Sequence, residues 1–225
     1  LRGNRRALFK DHQVRGFLGF LVATWLVFGT WLWLHSDNTW LDAFRIVAVN
    51  VTSVVTTTGF ALGDYTTWGS FAVLLFFYLT FVGGCSGSTA GGLKIFRFQV
   101  AYVLLKANLQ QLVHPRAVIK QQYNNHNLDE EIVRSLITFS FFFTITIGVI
   151  ALGLTLLGLD WVTALTGAAT AVCNVGPGLG PIIGPAGNFS TLPDAAKWLL
   201  TIGMLLGRLE ILTVLVLVTR AFWRH

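Results

Sequence analysis

The chain alternates between long apolar runs and short polar joints. Gly16 to Leu34, GFLGFLVATWLVFGTWLWL, is nineteen residues without a charge. At about 1.5 Å per residue, a helix of that length crosses a ~30 Å hydrocarbon core. Trp31 and Trp33, near its end, suit a membrane interface. Gly69 to Val82 and Ile132 to Leu157 are further apolar runs, and one long helix is predicted from Pro193 to about Trp223. Two other segments are shorter and mixed. Leu41 to Thr56, LDAFRIVAVNVTSVVT, carries Arg45, Asn50, Thr52 and Ser53 and is too polar to face lipid alone. It reads as a half-span helix that enters and leaves on one side. Trp161 to Gly176, WVTALTGAATAVCNVG, is of the same kind. Lys94, Arg97, Lys106 and Arg116 place LKIFRFQVAYVLLKANLQQLVHPR outside the bilayer as a surface helix ending near Pro115, and Gln121 to Glu131 reads as a polar linker.

The order of these segments repeats. Leu159-Asp160 echoes Leu41-Asp42, each half-span is followed by a glycine-bearing loop (TTGFALGDYTTW and GPGLGPIIGPAGN), and each loop leads into a second span. Setting Gly59 against Gly176 aligns Ser53 with Thr170 and Thr56 with Cys173. Span, half-span, loop and span therefore occur twice. The predicted fold is an all-α polytopic membrane protein of two tandem helix–pore-loop–helix repeats, residues 1–131 with its flanks and 132–225.

Composition agrees: 54% of the 225 residues are hydrophobic and 12% charged, too apolar for an ordinary soluble domain. The net charge of +6 does not point to nucleic acid, because the basic residues sit in short segments between apolar runs. They also set the orientation. Arg2, Arg5, Arg6, Lys10 and Arg15 lie at the start, six more between Lys94 and Arg134, and Arg220 and Arg224 at the end. All three regions fall on one side if each unit crosses twice, and the positive-inside rule makes that side cytoplasmic. Both half-spans and their loops then open outward. The only methionine is Met204, so a piece of a longer protein is expected. Cys85 and Cys173 lie in unrelated contexts and suggest neither a metal site nor a disulfide.

Non-helical backbone at membrane depth survives where protein or a water-filled path satisfies its polar groups. Thr56, Thr57, Thr58 and Gly59 follow one half-span, and Cys173, Asn174, Val175 and Gly176 follow the other. Such segments can turn carbonyl oxygens toward an axis, where they replace the hydration shell of an alkali cation. Glycine permits the backbone angles this needs. Two ordinary external loops are the plain alternative, but their matching register in a repeated unit favours a filter. Such a filter uses about four loops around an axis. Either the chain dimerises or two more units precede Leu1.

The stretch VGGCSGSTAGGLK, Val82 to Lys94, breaks the span after the first loop with five glycines, two serines and a threonine between Gly83 and Gly92. It is not a phosphate loop: Leu93 precedes Lys94, no hydroxyl residue follows, and a membrane span rather than a strand precedes it. A joint or a close-packed helix face is the plain reading. Its position below the first filter segment favours a gate built from Gly83, Gly84, Gly87, Ser88, Thr89, Gly91 and Gly92. Arg208 lies in GMLLGRLEILTVLVLV, where an unpaired guanidinium would cost on the order of 3 kcal/mol. Glu210, two residues on, points elsewhere on a helix, so the expected partner of Arg208 is the Gly83–Gly92 loop. An arginine snorkelling to the cytoplasmic surface is the alternative. His35, Asp37 and Asn38 read as an external loop, His114, His126 and Asp129 to Glu131 as solvated, with Asp129 near a helix start, and Asp64 and Asp194 as turn or cap residues rather than outer charges that attract cations. No nucleophile–base or paired-carboxylate set is present at convincing spacing, so no enzyme is expected.

SVVTTTGFALGDYTTW, FVGGCSGSTAGGLKIFR, LVHPRAV, CNVGPGLGPIIGP and AKWLLTIGMLLGRLEILTVLVL resemble the Trk/Ktr/HKT superfamily of potassium transporters, and within it the bacterial TrkH/TrkG membrane-subunit family. The resemblance runs over nearly the whole chain and corresponds to the C-terminal half, the third and fourth of four repeats. It implies potassium uptake across a bacterial inner membrane, a homodimer, and a cytoplasmic TrkA-type nucleotide-binding subunit that controls the gate. It implies potassium bound at Thr57, Thr58, Asn174 and Val175, a gating loop at Gly83–Gly92 and a pore arginine at Arg208, with no organic cofactor on this chain. Cys173 departs from the pattern, although backbone carbonyls carry the coordination. Selectivity for potassium over sodium is not legible without the first two filter loops. A secondary transporter that binds substrate and coupling ion at broken helices fits the repeats as well. A purely structural subunit is a third reading, and it predicts that Gly59, Gly176 and Arg208 tolerate replacement.

Overall fold

The computed structural model describes residues 11–117, 120–124, 126–209, 211–218 and 222–223. Helix α1, His12–His35, opens at Asp11, whose carboxylate accepts from the Gln13 N–H at 2.8 Å. Helix α2, Trp40–Val55, opens at Thr39, whose hydroxyl oxygen accepts from the Asp42 N–H at 3.3 Å. A 3₁₀ turn, Tyr65–Trp68, leads into α3, Ser70–Phe81. Two-residue strands β1, Val82–Gly83, and β2, Leu93–Lys94, pair in parallel and close the neck of the glycine-rich loop. Helix α4 covers Ile95–Val113, and a small antiparallel hairpin, β3 Gln122–Tyr123 and β4 His126–Asn127, precedes α5, Glu130–Leu156. Helix α6, Trp161–Cys173, starts at Asp160, which accepts from the Thr163 N–H at 3.0 Å. Helices α7, Asp194–Arg208, and α8, Ile211–Val218, are the last among the described residues.

Only α1 and α5, among the described residues, are long and apolar enough to cross a membrane. Both carry outward-facing apolar residues, among them Leu26, Val27 and Leu34 on α1 and Phe141, Leu152 and Leu156 on α5. An apolar exterior of this kind is stable against lipid or further protein, not against water. Of the two half-span helices, α2 is buried on one face and toward its end at Val54 and Val55, while α6 is buried along most of its length. Ten of the thirteen residues of α6 are buried, most of them small, which lets the helix sit close between α5 and α7. On the other side, the fully buried Phe28 of α1 stacks on Trp31 at 5.4 Å and meets Phe76 edge-on at 5.5 Å, while Tyr65 stacks on Phe76 at 3.9 Å.

The chain departs from the sequence-based expectation in four places. The Gly69–Val82 run is not a full span: α3 has twelve residues, about 18 Å of helix. The long helix expected from Pro193 to Trp223 breaks after Arg208, with Leu209 as its cap. The linker expected at Gln121–Glu131 contains a hairpin and the first residues of α5. Finally, Leu41-Asp42 and Leu159-Asp160 are not equivalent, because Asp42 lies inside the first turn of α2 while Asp160 caps α6 from outside.

Candidate permeation site

Helices α2 and α6 end in the same turn. After α2 the Thr57 N–H donates to Val54 O at 3.1 Å and the Thr58 N–H to Ser53 O at 2.8 Å. After α6 the Asn174 N–H donates to Ala171 O at 3.1 Å and the Val175 N–H to Thr170 O at 3.0 Å. With Gly59 set against Gly176, donors and acceptors correspond one to one. Thr57 and Asn174 both adopt a left-handed conformation at φ 55°, which costs a non-glycine residue about 1–2 kcal/mol. The same unfavourable turn is thus built twice from unrelated residues. Gly59 and Gly176 follow at φ 84° and 119°, angles that favour glycine.

The two turns touch. A Cβ on Gly59 would stand 2.5 Å from Val175 O, and one on Gly176 would stand 3.7 Å from the Gly59 Cα. Among the described residues no hydrogen-bond donor reaches the carbonyl oxygens of Thr56, Thr57, Thr58, Cys173, Asn174 or Val175. Cys173 and Val175 are buried, Thr56, Thr57 and Asn174 half-buried and Thr58 exposed, and buried carbonyls ordinarily find donors. A cluster of free ones beside two helix C-termini, where the macrodipoles concentrate negative charge, is suited to a desolvated cation. The turns differ at the glycine N–H: that of Gly176 donates to Thr170 Oγ1 at 3.0 Å, whereas that of Gly59 donates to Ser53 O at 3.4 Å and the buried Ser53 hydroxyl has no partner among the described residues.

The glycine-rich loop lies against both turns. The Gly91 N–H donates to Thr57 Oγ1 at 3.2 Å, and a Cβ on Gly91 would stand 2.0 Å from Cys173 O. The Ser88 N–H donates to Cys85 O at 3.0 Å, and the Lys94 ammonium folds back to donate to Ser88 O at 2.8 Å and to Ala90 O. Arg208 donates from its guanidinium to Thr89 O, so the predicted contact with the Gly83–Gly92 loop is present. Its setting differs from the expectation, because Arg208 is an exposed residue of the last turn of α7 and not the middle of a long helix. Glu210 lies outside the described residues. Below the loop is an open cavity of about 310 Å³ bordered by Ser88, Ala90, Arg97, Phe139 and Arg208. The Arg97 guanidinium carbon lies 3.6 Å from the centre of the Phe139 ring, a cation–π contact in the cavity wall. The Ser86 N–H donates to Gln13 Oε1 at 2.9 Å, which ties the loop to the start of α1.

Sequence reasoning missed several participants. Lys94 was read as marking the exit from the bilayer, yet it braces the loop from within. Asn50 and Thr166 each hold the chain beyond a turn, at Leu62 and Leu179. A buried amide in a half-span helix was the available signal for the first, while Thr166 is indistinguishable from an ordinary helix threonine.

Tandem units of span, buried half-span helix and re-entrant turn define a polytopic membrane protein of the helix–pore-loop–helix class. The sequence matches the TrkH family, described as cation transport proteins, over residues 3–224, and the chain belongs to it. It is 59% identical to the Trk system potassium uptake protein TrkI of Halomonas elongata, over all of this chain and 46% of that protein. It is 33% identical to the Trk system potassium uptake protein TrkH of Escherichia coli, over 98% of this chain and 45% of that protein. The crystal structure of the potassium transporter TrkH from Vibrio parahaemolyticus superposes with a TM-score of 0.89 at 36% identity, covering 98% of this chain and 47% of that one. The chain thus spans under half the length of the relatives it matches.

Proposed function

We propose that this chain supplies the third and fourth repeats, residues 1–131 and 132–225, of a potassium uptake pore in a bacterial inner membrane. The carrying observation is the meeting of two turns with the same main-chain bonding at Gly59 and Val175, their carbonyls free of protein donors among the described residues. Carbonyls of Thr56–Gly59 and Cys173–Gly176 replace the hydration shell of the ion, with potassium held at Thr57, Thr58, Asn174 and Val175. Two further turns come from the N-terminal half of the same protein. The relatives' names, potassium uptake proteins, support the choice of ion.

The loop from Gly83 to Gly92 forms the gate. Seated under Thr57 and Cys173, it occupies the inner mouth of the filter, and Arg208 holds it there while placing a positive charge that repels cations. Release of Arg208 from Thr89 and withdrawal of Gly91 would open the path. A cytoplasmic TrkA-type nucleotide-binding subunit on a homodimer is the controlling partner on this reading, with both termini and the middle connection cytoplasmic. The chain acts as a transporter, without catalytic groups, an organic cofactor or nucleic acid.

The test is cation flux in proteoliposomes with the full-length protein, comparing potassium and rubidium with sodium and lithium. Replacement of Gly59 or Gly176 should lower or broaden selective flux. Unchanged selectivity in both variants would remove the filter. Flux that requires a second substrate would favour a secondary transporter.

A further inference from the structure

Beyond each turn the chain must leave the filter and run outward. It does so through Leu62 in the first repeat and Leu179 in the second, positions that coincide when Gly59 is set against Gly176. In both repeats the main chain at this point is held by a buried side chain from the half-span helix. Asn50, fully buried, donates from Nδ2 to Leu62 O at 3.1 Å and accepts at Oδ1 from the Leu62 N–H at 2.7 Å. Thr166 accepts at Oγ1 from the Leu179 N–H at 3.1 Å. Its single proton is shared between Val162 O at 2.8 Å and Leu179 O at 3.3 Å. The amide therefore makes two full bonds and the hydroxyl little more than one. Among the described residues, the main-chain groups of Leu62 and Leu179 have no other partner.

The two holding residues do not align. Asn50 falls opposite Gly167 and Thr166 opposite Val49. The same main-chain position is thus gripped from two adjacent helix positions by two different chemistries. Each grip lies three residues from a filter glycine, with only Phe60 and Ala61, or Pro177 and Gly178, between. A carbonyl cage discriminates between ions by the number and placement of its oxygens, and such placement must hold to about 0.5 Å. The short tether passes any slack at Leu62 or Leu179 directly to the carbonyls.

We infer that Asn50 and Thr166 are positioning residues that fix the outer ends of the two filter segments and thereby set ion discrimination, with Asn50 the stronger. The inference rests on the filter reading above. It is tested on the full-length protein in proteoliposomes through the ratio of potassium to sodium flux. Thr166→Val keeps the shape and removes the hydroxyl, and Thr166→Ser restores it. Thr166→Val should lower the ratio roughly fivefold, the effect of about one net hydrogen bond. Thr166→Ser should stay within about twofold of the parent, and Asn50→Leu should exceed Thr166→Val because two bonds are lost. Melting temperatures in detergent are measured alongside. Lowered melting with the parental ratio in Thr166→Val overturns the inference, as does a ratio equally reduced in Thr166→Ser. Gly176→Ser separates the two levels. A shifted ratio there with none in Thr166→Val or Asn50→Leu removes only the positioning role, whereas no shift in any variant removes the filter and the inference with it.

Discussion

On the proposed reading Gly91 is the point where gate and filter meet, and Gly91→Ala tests whether that meeting is the closed state. The added Cβ would stand 2.0 Å from Cys173 O, 2.7 Å from Cys173 C and 3.2 Å from the Asn174 Cβ. Ordinary carbon–oxygen contact begins at about 3.3 Å, so a retreat of about 1.3 Å is required. The obstructing atoms are mainly backbone at the end of a buried helix and cannot rotate aside. The loop must move instead, and the Gly91 N–H bond to Thr57 Oγ1, already 3.2 Å long, would be lost. Overpacking costs about 1–3 kcal/mol and the lost bond about 1 kcal/mol. At 1.4 kcal/mol per tenfold, the seated state should lose roughly 30- to 700-fold in population. The assay is rubidium flux through the full-length protein alone in proteoliposomes, with no other subunit added. Gly84→Ala is the control, because its Cβ would meet chiefly the Ser88 hydroxyl at 2.7 Å, and that side chain can turn away. Basal flux should rise strongly in Gly91→Ala and little in Gly84→Ala. Parental basal flux in folded Gly91→Ala would refute the seated loop as the closed state.

Arg208→Ala removes both the bond to Thr89 O and the fixed charge, so basal rubidium flux should rise, and Arg208→Lys should recover part of the closure; equal flux in all three proteins would leave Arg208 without a gating role. Gly59→Ala should damage the filter more than Gly176→Ala, because its Cβ would stand 2.5 Å from Val175 O while that of Gly176 has 3.7 Å of clearance. Potassium flux and melting temperature measured together should fall in both variants and further in the first, since φ 119° at Gly176 strains any added side chain even where space is open. Gly207→Ala would place a Cβ 1.8 Å from Val172 O, whereas that of Gly203 would meet the Ile150 side chain at 2.8 Å. The former should destabilise the protein by about 1–3 kcal/mol and the latter by less, as read from thermal unfolding in detergent.

Much of this architecture was legible because membrane insertion writes a coarse code. Long apolar runs placed α1 and α5 within a few residues, and the semi-polar half-spans stood out as α2 and α6. The register Ser53–Thr170 held to the level of single hydrogen bonds, because a turn at membrane depth must satisfy or expose its backbone groups in a fixed way. Features that depend on tertiary neighbours were not legible. The shortness of α3 was visible in the glycines after Val82, but its apolar composition reads as that of a span. The break after Arg208 has no proline to announce it, and Gly207 beside it is one of two glycines in the same apolar helix. The echo of Leu41-Asp42 in Leu159-Asp160 misled because aspartate serves equally outside a helix as a cap and inside its first turn. Lys94 misled because a lysine that folds its ammonium onto carbonyls looks, in sequence, like one in solvent.

The contacts that sequence could not supply converge on one place, the C-terminal end of α6. Gly91 of the loop closes on Cys173 O from one side, Gly207 of α7 closes on Val172 O from another, and Asn174 Nδ2 donates to Met204 O at 3.1 Å. Each approach is possible only because a Cβ is missing or a short amide side chain can reach. The last turn of α6 also fixes the turn at Asn174 and Val175, the second filter segment on the proposed reading, through the Thr170 and Ala171 carbonyls. Loop and α7 therefore bear on the same backbone that aims the filter carbonyls, and Arg208, at the end of α7, reaches across to Thr89 to join them. A motion that withdraws the loop cannot leave this end of α6 with the same neighbours. On this geometry gating and ion discrimination are not independent, and a variant that unseats Gly91 should change the potassium-to-sodium flux ratio as well as the basal flux.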